Sequence, residues 1–162
     1  MPFADSGNIH HETLSILDSA AVMGVPVLID ATYIGLTNGL AFDFGHPAID
    51  TVAFSLSKVF PVAHARIGMR ISKVDKDDGL DIYRKTEYEN RWGAALGNLL
   101  LANYGVDYNV MTYGYWQKYK CMDMGIDPSP TVIFGLGNDQ WNEYNRGGLY
   151  NRLFLGGLYE QP

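Results

Sequence analysis

The chain has 162 residues, 47% of them hydrophobic and 19% charged, with a formal net charge of -6. That length permits a real hydrophobic core, and the acidic balance excludes general attraction to nucleic acid or anionic lipid. No apolar run approaches the ~18–20 residues that span a bilayer, and the amino-terminal Met1–Asp5 does not read as a signal peptide. The single cysteine, Cys121, forms no internal disulfide and no Asn-x-Ser/Thr signal occurs, so a soluble protein in a reducing, cytoplasmic setting is expected.

In chain order, Asp5-Ser6-Gly7-Asn8 is turn chemistry, and a helix is expected from about His11 to Met23. Leu14, Leu17, Ala20 and Ala21 recur there at helical spacing, and Gly24 followed by Pro26 ends it. Val25 to Asp30 is a short apolar run closed by an acid, the pattern of a strand buried on both faces of a parallel sheet. A Gly-rich loop (35–45) precedes a second such strand from Asp50 to Ser57, and a third is expected from Arg66 to Ser72. The order helix, strand, loop, strand predicts α/β architecture. The charged stretch Lys73–Gly79 marks a surface turn and a domain boundary.

Beyond it, residues 80–104 read as one long linking helix ended by Gly105. A second helix, rich in Tyr and Met, is expected over 108–124 with Gly125 as its stop, its Tyr and Met residues serving to pack it. A short strand from Thr131 and another around Leu153–Leu155 complete a small second domain.

The chemistry-bearing residues gather at predicted strand ends, where α/β sheets hold their ligands. Asp30 closes one strand, with Tyr33 three residues on. Ser55, Ser57 and Lys58 close the next, and Arg66 follows eight residues after the lysine. A pyridoxal-phosphate (PLP) site requires these parts: a lysine for the aldehyde and an acid against the pyridine nitrogen, which keeps the ring an electron sink. It also requires a donor to the ring oxygen, with hydroxyls and an arginine for the phosphate.

Asp30-x-x-Tyr33, Ser55-x-Ser57-Lys58 and Arg66-x-Gly68 together resemble the signature of the fold-type-I PLP enzymes, the aspartate-aminotransferase-like class I/II group above all. The resemblance implies that Lys58 is the Schiff-base lysine and proton shuttle. By the same resemblance Asp30 pairs with the pyridinium, Tyr33 bonds the ring oxygen, and Ser55, Ser57 and Arg66 hold the phosphate. In the tail, Asn151-Arg152-Leu-Phe-Leu-Gly-Gly is similar to the family segment whose arginine binds the substrate α-carboxylate, which points to Arg152, with Arg146 as competitor.

The implied fold is part of the parallel PLP-transferase sheet, residues 1–74, followed by a small α+β domain, residues 75–162. The implied reaction is amino transfer between an amino acid and a 2-oxo acid, in a homodimer. Family members are more than twice as long, so this chain reads as a carboxyl-terminal portion lacking an amino-terminal half. Ala4-Asp5-Ser6-Gly7 also stands where the family often has Asn-Pro-Thr-Gly. Two alternatives remain: a related PLP lyase or decarboxylase, and a non-catalytic remnant or pairing subunit.

Other patterns carry less. His10-His11-Glu12 are adjacent and, if helical, would diverge, so no metal site is expected. Asp43-Phe44-Gly45 reads as a turn, Gly135-Leu-Gly137 as a loop, His64 as structural or exposed, and Cys121 as buried.

Overall fold

In a computed structural model, residues 6–156 are described, and the chain is a mixed α/β protein with two small sheets. Two compact units share it. One holds His11–Thr32 and Asp43–Gly105 and is termed the Lys58 unit; the other holds Tyr33–Phe42 and the chain from Val106, with the residues up to His10, and is termed the Arg152 unit. Residue 75, the expected boundary, lies inside the Lys58 unit. The charged stretch there docks back onto the sheet: Lys76 pairs with Asp50, Arg70 with Asp78, and Lys73 Nζ donates to the carbonyls of His46 and Pro47.

The Lys58 unit begins with α1, Thr13–Met23, closed as expected by Gly24 in the left-handed region. His10, His11 and Glu12 precede this helix, so helical divergence does not apply to them; their donor atoms lie within 4.8 Å of one another, all exposed. Leu17 and Ala20 are buried, whereas Leu14 is 58% exposed. Strands β1 (Val27–Asp30), β2 (Ile49–Ser55) and β3 (Gly68–Ser72) form a sheet in the order β1-β2-β3.

The β1–β2 pair is parallel, as expected, but β2–β3 is antiparallel, so the sheet is not wholly parallel. The connection from Leu56 to Ile67 holds only a 3-10 turn at Ala63–Ala65 and no α-helix to carry the chain across the sheet, so it returns directly beside β2. Nor are the strands buried on both faces: Leu28 of β1 is 58% exposed, and Met69 and Ile71 of β3 are 45% and 60% exposed.

The single helix expected over 80–104 is two, α2 (Gly79–Lys85) and α3 (Arg91–Asn103). Glu87 takes a left-handed backbone between them, and Asn90 caps α3 through its side-chain oxygen on Gly93 N, 2.9 Å away. Asp78 caps α2 in the same way, accepting from Leu80 N and Asp81 N. The buried face of α3 is Gly93 and Gly97. A side chain at Gly97 would meet Ile67 Cγ2 at 3.0 Å, so the missing Cβ lets α3 lie against the base of the loop that carries Lys58.

The Arg152 unit is built on α4, Tyr108–Met124, which ends at Gly125 as expected. Strands β4 (Asp127–Pro128), β5 (Phe134–Gly137) and β6 (Asn151–Phe154) form an antiparallel sheet in that order. Gly135 and Gly137 therefore lie in a strand rather than a loop. Their missing Cβ atoms make room for Ile126 with Cys121 and for Trp141, respectively. Gln117 fixes the rotation of α4, its Nε2 donating to the carbonyls of Ser129 (2.7 Å), Thr131 (3.1 Å) and Phe134 (2.7 Å). Thr37 Oγ1 and Thr131 Oγ1 pair at 2.8 Å beside this network.

Cys121 is buried with Ile126, Leu153 and Leu155, and burial pushes its thiol up to about 11, so it is no nucleophile at neutral pH. The Tyr and Met residues of α4 do not all pack inward, however: Met111, Tyr115 and Met122 are 82%, 73% and 74% exposed. Among the described residues no helix is long and apolar enough to cross a membrane.

Candidate functional site

In the Lys58 unit, Asp30 ends β1 and Ser55 ends β2. Asp30 is paired with Ala53, and Ala31 N donates to Ala53 O at 2.8 Å, so the two strand ends are side by side. Ser55 follows Ala53 by two residues, and the two-residue period of a strand puts Asp30 and Ser55 on the same face. Asp30 Oδ1 accepts from Thr32 N at 3.0 Å and from the Thr32 hydroxyl. Oδ2 is left without a partner among the described residues, available to a ring N–H.

After Ser55 the chain turns through Leu56–Phe60, with Phe60 N on Leu56 O at 2.9 Å. Ser55 and Ser57 hydroxyls lie 2.7 Å apart, and Ser57 N donates to Ser55 Oγ at 3.3 Å, which makes a compact cluster of hydroxyls and an amide. Lys58 stands next in this turn, exposed, and its ammonium has no ion-pair or hydrogen-bond partner among the described residues.

The loop bearing it is anchored at both ends. Leu56 N donates to Ile67 O at 3.0 Å, both side chains are buried, and Asn90 Nδ2 of the α3 cap donates to Ala65 O at 3.3 Å. Arg66 comes on the return of this loop, one residue before Ile67, with φ 50 and ψ 53. A left-handed backbone at a non-glycine costs on the order of 1 kcal/mol and marks positions held for another reason. Gly68 then pairs with Ser55, and a Cβ there would lie 2.6 Å from Phe54 O. The glycine two residues after Arg66 is thus a steric requirement of the β2–β3 closure. One end of one sheet therefore gathers Asp30, Ser55, Ser57, Lys58 and Arg66.

Tyr33 and Arg152 belong to the other unit, where they meet the same ring. Tyr33 lies edge-on to Phe134 with centroids 5.4 Å apart, and the Arg152 guanidinium lies over that ring at 4.5 Å. Arg152 comes from β6, opposite Leu136 of β5, and is half-buried. Its N–H groups have no partner among the described residues, so the face is used by Phe134 while the edge stays open to a carboxylate. Arg146, its competitor, is exposed on the loop before β6. Phe134 escaped sequence reasoning because its role depends on residues far away in the chain. Asp5 and the residues after Gly156 lie outside the described residues. His64 is exposed, and Asp43–Gly45 is a turn closed by Gly45 N on Asp43 Oδ1 at 2.8 Å.

The donor set suits a phosphorylated pyridine aldehyde: a carboxylate oxygen for the ring nitrogen, hydroxyls and a guanidinium for the phosphate, and a lone amine for the aldehyde. No family model, curated protein or solved structure matches the chain.

Proposed function

We propose that the chain carries the cofactor-anchoring part of a PLP-dependent aminotransferase acting on an amino acid and a 2-oxo acid. The observation that carries this reading is the pairing of adjacent parallel strand ends, with Asp30 and Ser55 on one sheet face and, in the turn that follows, Lys58 without a partner among the described residues. When bound, the cofactor supplies an electron sink for the substrate α-carbon.

The chain's own residues do the rest. Asp30 holds a proton on the ring nitrogen through its free Oδ2. Ser55, Ser57 and Arg66 grip the phosphate, the serines as donors and the arginine as a fork. Lys58 would hold the cofactor through its amine and would serve as the base that moves the substrate α-proton. By the family resemblance Tyr33 is the candidate donor to the ring oxygen and Arg152 the candidate for the substrate carboxylate; both lie in the Arg152 unit. The same anchors serve a PLP lyase or decarboxylase, so the amino-transfer step rests on the family resemblance.

Titration of the purified chain with PLP, followed by the shift of the aldehyde absorbance, tests the reading. Saturable binding that is lost in Lys58→Ala and weakened in Asp30→Ala is expected; equal responses from the three proteins would reject it.

A second reading has its own support. Both edge strands, β1 and β3, lack a further neighbour among the described residues, and Leu28, Met69 and Ile71 are exposed on them. An exposed apolar sheet of this kind suits a pairing subunit that binds no cofactor until a partner chain is supplied. PLP binding by the isolated chain would eliminate this reading.

A further inference from the structure

We infer that the outer face of α4 is a self-association surface on which a second copy of this chain docks, α4 against α4 in antiparallel sense. The inference stands on the Arg152 unit alone and does not rest on the PLP reading.

The inner face of α4 is fully used: Asn109, Gln117 and Cys121 are buried, and Gln117 locks the rotation with three hydrogen bonds. The opposite face is apolar and exposed, which is costly unless covered. Met111 is 82% exposed, Tyr115 73%, Tyr119 46% and Met122 74%, with Trp116 on the flank at 43%. Trp116 contacts the edges of both Tyr115 and Tyr119, with centroids 6.0 and 6.4 Å apart, so the aromatic patch is already ordered. At about 200 Å² for a fully exposed side chain of this size, the patch offers on the order of 600 Å². That stands at the upper end of the largest apolar patch on a typical monomer, about 300–600 Å², and approaches the ~800 Å² per partner of a standard interface.

The spacing selects a second copy over other partners. About Tyr115 the stripe is symmetric: Met111 stands four residues before it and Tyr119 four after, Tyr108 seven before and Met122 seven after. A twofold axis through Tyr115 sets Met111 against Tyr119 of the second copy and Tyr108 against its Met122. Both of these off-axis pairs are Met–Tyr pairs, a favourable sulfur–aromatic match. Charge agrees. Asp107 and Lys118 lie on the same flank of the helix, and antiparallel packing offsets Lys118 from Asp107 of the second copy by about five residues, or ~7.5 Å, within a lysine's reach. The chain's net charge of -6 argues against an anionic membrane as occupant.

Sedimentation velocity on the full chain from low to high micromolar concentration tests the surface. A concentration-dependent dimer is expected, with Tyr115→Glu weakening it at least 100-fold because two carboxylates would meet on the axis. Circular dichroism checks that this variant is folded. Should it fail to fold, Tyr115→Cys serves instead: on the axis it is expected to give a disulfide-linked dimer under mild oxidation, whereas Leu99→Cys on α3 is not. A chain monomeric at every concentration, a dimer indifferent to Tyr115→Glu, or equal cross-linking at both cysteines would overturn the inference.

Discussion

Arg66 holds a left-handed backbone two residues before Gly68, which pairs with Ser55 at the end of the sheet. Its backbone and its guanidinium make separable predictions. Arg66→Gly relieves the backbone but adds chain entropy, so the urea midpoint is expected to change by less than the equivalent of about 1 kcal/mol. Arg66→Val, branched at Cβ, is expected to destabilise by more than about 1 kcal/mol. Both should weaken PLP binding alike, since both lose the guanidinium. Phe134 makes a further residue-scale prediction. With Arg152 stacked on its face, Phe134→Leu removes a contact of roughly 0.5–2 kcal/mol. The Arg152 side-chain N–H resonance, shifted by the ring in the native protein, is then expected to move towards its free position. An unchanged resonance would mean that the stack is not populated.

At the scale of elements, the close of β2 on β3 depends on one missing atom. Gly68→Ala sets a methyl against Phe54 O, a backbone atom with little freedom to retreat, and is expected to destabilise the Lys58 unit by about 1–3 kcal/mol. Protection of the Ser55 amide from hydrogen exchange should fall with it. The sequence pattern singled out this glycine without its steric reason, which depends on Phe54 across the strand pair.

Helix ends were legible where a glycine takes the left-handed region, at Gly24 and Gly125. The break at residues 86–90 was not, because apolar spacing runs on through it and the stop comes from the Glu87 backbone and the Asn90 cap. Strand direction was hidden for a different reason: Gly68–Ser72 has the same apolar character whether it runs parallel or antiparallel, and what decides is that the connection before it forms no crossover helix. Gly135-x-Gly137 looked like a loop because its glycines serve packing partners, Ile126 and Trp141, that lie elsewhere in the sequence.

For the whole molecule, acid sensitivity is expected to concentrate in the Lys58 unit. Lys85 and Arg84 hold the carboxyl of Asp81 below the usual range, Lys76 and Thr51 do so for Asp50, and Arg70 for Asp78. A lowered folded-state pKa stabilises the folded protein above the unfolded value of about 3.9, and this contribution drains as pH falls through the folded value. Calorimetry should therefore find a nearly flat transition temperature from pH 7 to 5 and a steep fall below about pH 4, shallower in Asp81→Asn. A fall beginning near neutral pH would point to other groups.

The strand-end positions of Asp30 and Ser55 were legible because an apolar run closed by a polar residue is a local pattern. The surroundings of Arg152 were not, since Phe134 and Tyr33 reach it through the tertiary fold of the second unit. The most direct test of the anchor is borohydride reduction of the chain with PLP, followed by peptide mapping. A single modified peptide containing Lys58, absent from Lys58→Ala, is the predicted result; no adduct, or label scattered over surface lysines such as Lys118, would contradict it.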